Sequence, residues 1–189
     1  ESFEQTGLNY KSYAINPQSG AQFGYSLGLS GNDCIVGAYS YAAYVYAVDH
    51  PEEMVRLDPP GGAGSEAGYA QAVAIDHDTA VVGLSHPAPG EAPRVYIYER
   101  TGRDWALTQT ITHPDYPNSG FGSKVAIDGE TLAIGASLYS RVHTYTRVGG
   151  QWQPEDTLEP TSCGDCFVWF GTSLALDGDR LVVGASGED

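Results

Sequence analysis

Four groups of residues have types and spacings that could do chemistry. Cys163-Gly-Asp-Cys166 has the two-residue gap of a metal knuckle or a redox pair. A zinc knuckle needs a second pair of ligands, and the only other cysteine is Cys34. A redox pair belongs at the start of a helix in a βαβ unit, and no helical periodicity surrounds this one. Cys163 and Cys166 therefore read as a small loop disulfide or free thiols, and Cys34, at the start of an apolar run, as a buried small hydrophobe. The five histidines (His50, His77, His86, His113 and His143) show no metal-ligand spacing. The acids cluster at short turns: Asp76-His-Asp78, Asp128-Gly-Glu130, Asp177-Gly-Asp179 and Ser30-Gly-Asn-Asp33. Tyr10, Trp105 and Trp152 occupy one repeat position, where aromatic rings could stack on a sugar or instead fill the rim of a sheet. There is no Gly-x-Ser-x-Gly nucleophile elbow and no glycine loop opening a helix to cradle phosphate. No catalytic constellation, metal set or cofactor motif emerges, so the expectation is a chain that is not an enzyme.

The elements that position these residues come from a repeat. Phe121-Gly-Ser-Lys-Val-Ala-Ile-Asp-Gly-Glu-Thr-Leu-Ala-Ile-Gly135 reads as strand, tight turn, strand. Asp128-Gly129 supplies the turn, because a two-residue hairpin needs positive φ that Asp and Gly tolerate. Looser copies open at Phe23, Tyr69 and Phe170, and in each the opening aromatic precedes a closing glycine by 14 residues. The copies start 46, 52 and 49 residues apart, so fixed hairpins are joined by variable loops. A second hairpin follows: Tyr98-Glu-Arg-Thr-Gly-Arg-Asp-Trp105 matches Tyr145-Thr-Arg-Val-Gly-Gly-Gln-Trp152 and Phe3-Glu-Gln-Thr-Gly-Leu-Asn-Tyr10. Periods of this length indicate a propeller, solenoid or array.

The fold expected is all-β: one domain over residues 1–189, a β-propeller of four-stranded antiparallel blades, about four per chain. The repeats run over about 23–60, 69–117 and 121–160, and a fourth is split, with 168–189 supplying two strands and 1–17 the other two. That split unit closes either within the chain or against a neighbour. The second strands (Val81-Val82, Ala133-Ile134, Val182-Val183) are apolar on both faces, as expected of a sheet covered on both sides.

Composition narrows the function. A net charge of −15, with only two lysines (Lys11, Lys124), argues against nucleic acid and anionic membrane surfaces, which need basic patches. No apolar run approaches the length of a membrane span. The chain begins at Glu1 and reads as a mature, processed or excised one.

The pattern Phe-Gly…Val-Ala-Ile-Asp-Gly…Ala-Ile-Gly-Ala, followed by Tyr-x-Arg-x-Gly-x-x-Trp, resembles the FG-GAP repeat of integrin α subunits and of microbial and algal secreted or surface proteins. Gly135-Ala136-Ser137 and Gly184-Ala185-Ser186 stand where that family often has Gly-Ala-Pro. The resemblance implies a β-propeller, an extracellular or cell-surface setting, and, in many members, calcium in the first hairpin turn. The turns of this chain are too short to wrap that ion with several carboxylates, so no calcium site is assigned and no cofactor is expected. The expected function is a noncatalytic interaction or structural module that binds protein or glycan or assembles with its own copies. The alternatives are a lectin or glycan-active enzyme with its site at the propeller axis, and a calcium-dependent adhesion domain.

Overall fold

A computed structural model describes residues 20–113, 119–161 and 168–187. Tyr10, Cys163, Cys166 and the 1–17 part of the split repeat lie outside the described residues. Among the described residues the chain is all-β, and its one helical feature is a single 3-10 turn at Ser137–Tyr139.

The strands form four antiparallel sheets in chain order. Sheet one is β1 (Gln22–Ser30), β2 (Asp33–Tyr39), β3 (Ala42–Ala47) and β4 (His50–Leu57). Sheet two is β5 (Ala72–Asp76), β6 (Thr79–Leu84), β7 (Arg94–Thr101) and β8 (Asp104–Thr112). Sheet three is β9 (Phe121–Asp128), β10 (Thr131–Ala136), β11 (Arg141–Val148) and β12 (Gln151–Leu158). Sheet four, among the described residues, is the hairpin β13 (Phe170–Asp177) and β14 (Arg180–Ala185).

The first hairpins turn one residue later than the sequence suggests. Asp128 pairs with Thr131 and Asp177 with Arg180, so the turn is Gly129-Glu130 in one and Gly178-Asp179 in the other. Gly31, Gly129 and Gly178 hold the positive φ that the first turn residue needs, and His77 holds it in sheet two at +47°. The acid is thus the last strand residue rather than part of the turn. Its side chain stands off the sheet, which decides its role below.

Successive sheets pack in series: β1 against β5, β5 against β9, β9 against β13. The fourth strands approach one another far less, so each pair of sheets converges toward its first strands. One apolar cluster joins sheets one and two, with Ile35 and Val45 from the first and Val73, Ile75 and Val82 from the second. Another joins sheets two and three, with Val81 and Ile97 meeting Leu132, Ile134 and Trp152. Period-2 alternation sends residues 73, 75 and 82 to one face of sheet two and residue 81 to the other. Both faces are covered, which is why these strands are apolar throughout. The fourth strands β4, β8 and β12 are largely exposed. Cys34 is half-buried rather than buried, because it pairs with Leu29 and alternates with Ile35, which puts it on the face of sheet one turned away from sheet two.

Candidate functional site

The acids at the turns form a clamp between sheets. Asp76 at the end of β5 accepts the backbone N–H of Gly129 in the turn of sheet three, at 2.9 Å. Asp128 at the end of β9 accepts the N–H of Gly178 in the turn of sheet four. At the same place in sheet one stands Ser30, whose hydroxyl oxygen accepts the N–H of His77 at 3.1 Å and donates its own proton to Asp76 at 3.1 Å. The last strand residue of each sheet therefore holds the turn of the next. Burial would raise the Asp76 carboxyl, but the Gly129 N–H, the Ser30 hydroxyl and His77 outweigh it and hold the group below the usual carboxylate range.

The Phe-Gly and closing-glycine positions form a second seam. Gly24, Gly122 and Gly171 have φ between +83° and +90°, and Ala70 takes the same place at +59°. Each sits where its strand bulges or is just entering the ladder, which turns its carbonyl toward the preceding sheet. There the closing glycine admits it. A Cβ built on Gly37 would lie 2.5 Å from the Ala70 oxygen, one on Gly83 2.1 Å from the Gly122 oxygen, and one on Gly135 2.6 Å from the Gly171 oxygen. Only glycine leaves room for backbone to approach that closely.

At the rim, Arg100 of β7 reaches back to Asp33 of sheet one at 2.7 Å while also holding Asp78 of its own sheet at 2.7 Å. Arg147 of β11 reaches back to Glu99 of sheet two in the same way. Gln109 of β8 pairs with the backbone of Trp152 on β12: its amide nitrogen donates to the Trp152 carbonyl and its oxygen accepts the Trp152 N–H, both at 2.8 Å. The sequence alone did not single out Gln109. Gln109 lies beside a bulge on a strand with Thr108 and Thr110 on either side, so its residue type does not set it apart.

The two ends of the series differ from its interior. On the outer face of sheet one, Leu27 is 67% and Leu29 68% exposed, whereas their counterparts in sheet two, Val73 and Ile75, are 6% and 5% exposed. On the outer face of sheet four Val182 is 68% exposed, whereas its counterpart Val81 is fully buried.

A cleft beside β11 and β12 brings two histidines together. His113, His143, Tyr145, Glu155 and Asp156 line a shallow space of about 320 Å³ beside β11 and β12. The His113 and His143 rings lie 4.6 Å apart, and His143 Nδ1 is 3.0 Å from the Thr157 hydroxyl. Burial first, then the charges of His113 and Arg141, lower the His143 pKa to about 4. A base that weak is almost wholly neutral at neutral pH and accepts a proton poorly there, because acid–base catalysis is most effective with a pKa near the working pH.

The aromatic candidates separate. Trp152 is 2% exposed and belongs to the core between sheets two and three, so it presents no ring face for stacking. Trp105 is half-buried against the other core, with the Arg100 guanidinium 5.3 Å from its ring centre. Both rings pack against the apolar clusters between sheets. His143, which the sequence left among scattered histidines, is 4% exposed. Among the described residues no three His, Cys, Asp or Glu side chains gather to hold a metal, and no helix is long and apolar enough to cross a membrane.

No family model matches the chain, and no curated protein does. The chain is similar to the solved structure of the computationally designed Ika4 protein, with a TM-score of 0.55 and 15% identity over 93% of this chain and 92% of that one. At that identity the likeness is one of fold. The N-terminal domain of Nup159 overlaps more loosely, with a TM-score of 0.44 and 8% identity over 68% of this chain and 36% of that one.

Proposed function

We propose that this chain is a noncatalytic interaction and structural module: a β-propeller of FG-GAP type, extracellular or at the cell surface, whose sheets are its blades. One observation carries the reading. Asp76 and Asp128, turn acids among the groups best placed by sequence to do chemistry or hold an ion, are engaged as acceptors for the backbone of the next sheet. Convergence of the sheets toward their first strands supports blades around an axis. The glycine seams give a physical reason for the Phe-Gly and Gly-Ala positions that the resemblance rests on. The cleft beside His143 supports the same reading, since its histidine is a poor acid or base at neutral pH.

A glycan hydrolysis screen, run alongside thermal melts with and without chelator, tests this reading. The module reading expects no turnover and an unchanged melting temperature. Turnover that disappears on substituting Glu155 or Asp156 would replace it with the enzyme reading, and a chelator-sensitive melt with the calcium-dependent one.

A further inference from the structure

The exposed face of sheet one and the exposed face of sheet four are the two halves of a contact that the chain already makes three times. We propose that each is occupied by a second copy of this chain, docked head to tail. This rests on the module reading above and adds the partner to it.

The apolar groups match first. In the internal seams a residue of the second strand meets two residues of the next sheet's first strand: Ile35 meets Val73 and Ile75, and Val81 meets Val125 and Ile127. The same positions at the ends are Val182 on sheet four and Leu27 with Leu29 on sheet one, all at least two-thirds exposed. An apolar surface of this kind marks an interaction site. Both faces are exposed in the structure.

The polar groups match in the same register. Ser30, Asp76 and Asp128 each accept the first turn N–H of the next sheet. Asp177 carries the same carboxylate at the end of β13. Gly31 carries the corresponding N–H in the turn of sheet one. The backbone matches as well. The three atoms nearest a Cβ on Gly184 all belong to Ser173 of its own sheet, where the internal seams place a carbonyl of the next sheet, and Gly24, at the carbonyl position of that seam, has nothing within 4 Å of an added Cβ. The turn and glycine contacts, made at all three internal seams, and the apolar contact, made at the first two, are thus left half-made at opposite ends of the chain.

A partner that fits must offer a flat apolar strand pair, a turn acid and a glycine approach in one register. A copy of this chain offers all three, and offers both halves. The contact is heterologous: two copies close a ring with two such interfaces, and copies that do not close continue into a filament.

Sedimentation velocity over about 1–100 µM tests the proposal, using the full chain, Leu27→Asp, Val182→Asp and a 1:1 mixture of the two variants. Circular dichroism and thermal melts establish that each variant is folded. The wild-type chain is expected to associate, as dimers or longer assemblies. Each variant alone is expected to lose association by at least about 100-fold, because a charge is placed in an apolar contact. The mixture is expected to recover a pair and stop there, since it retains one intact face of each kind. A wild-type chain that stays monomeric across the range, or variants that associate as the wild type does, would overturn the proposal. So would folded variants whose mixture fails to pair. None of these outcomes touches the noncatalytic reading, which stands or falls on the hydrolysis and chelator results.

Discussion

Replacing Gly83 with alanine tests the packing of sheet on sheet with a single methyl group. The added carbon would lie 2.1 Å from the Gly122 carbonyl oxygen, and the neighbouring carbon of that carbonyl 3.1 Å away. A carbon–oxygen contact normally holds at about 3.2 Å or more, so about 1 Å must be found by moving backbone on one side of the seam. Overpacking of this kind costs about 1–3 kcal/mol, and with both partners backbone the upper end applies. Gly83 has an ordinary strand φ, so alanine recovers about 0.5–1 kcal/mol of chain entropy. The net expectation is about 2 kcal/mol of destabilisation, which for a chain of this size lowers Tm by about 4–8 °C. Gly184→Ala is the internal control. Its new methyl would also meet an atom at 2.1 Å, but that atom is the rotatable Ser173 hydroxyl and not the backbone of another sheet. In protein dilute enough to be monomeric its Tm should therefore stay within about 2 °C of the wild type, since a clash relieved by rotating one hydroxyl is worth about 0.5 kcal/mol. Differential scanning calorimetry of the two variants decides the matter. If Gly83→Ala melts with or above the wild type, the close backbone approach is not what requires glycine there.

Asp76→Ala removes the acceptor for the Gly129 N–H and the Ser30 hydroxyl and should cost about 1–3 kcal/mol in urea unfolding. Because the Asp76 carboxyl is held below its ordinary range, its contribution is fully present above about pH 4 and lost as the pH falls through its lower folded value. Asp76→Ala should flatten that acid limb. His143 acts over a different window. Its folded pKa is lowered to about 4, so the unfolded chain binds the extra proton between about 6.5 and 4. Stability should be full above that window and fall by up to about 3 kcal/mol across it, with His143→Phe removing most of the slope in chemical denaturation at stepped pH. Trp152→Ala should cost about 3–5 kcal/mol, as for a buried aromatic, and Trp105→Ala clearly less. Equal losses, or a loss of glycan binding without a loss of stability, would return these rings to the role of stacking platforms.

The four first hairpins were legible because a fixed offset between aromatic and glycine survives loops of different length, and alternation then assigns the faces. Phe121 to Gly135 and its copies are strand pairs for that reason. The turn position was legible only to within one residue. Asp128 and Gly129 both suit a turn, and choosing between them depends on which residue closes the ladder against Thr131. The purpose of the acid was not legible at all, because its partner is a backbone N–H on another sheet, about 50 positions further along. Gln109 was missed for the same reason: its partners are the main-chain groups of Trp152. The burial of His143 depends on the packing of its strand against Phe121 and His113, and histidine spacing carries no trace of that. The exposure of Leu27 and Val182 could not be anticipated either, since their sequence environments match those of covered counterparts.

Amide hydrogen exchange at the first turn residues of the four hairpins, followed by NMR, tests most directly the claim that turns lock the sheets in series. The amides of His77, Gly129 and Gly178 should exchange slowly, because each is held by the side chain of the preceding sheet. The amide of Gly31 should exchange fast in dilute solution and slow down as the protein concentration rises. Four turn amides exchanging at one common, unprotected rate would contradict the account.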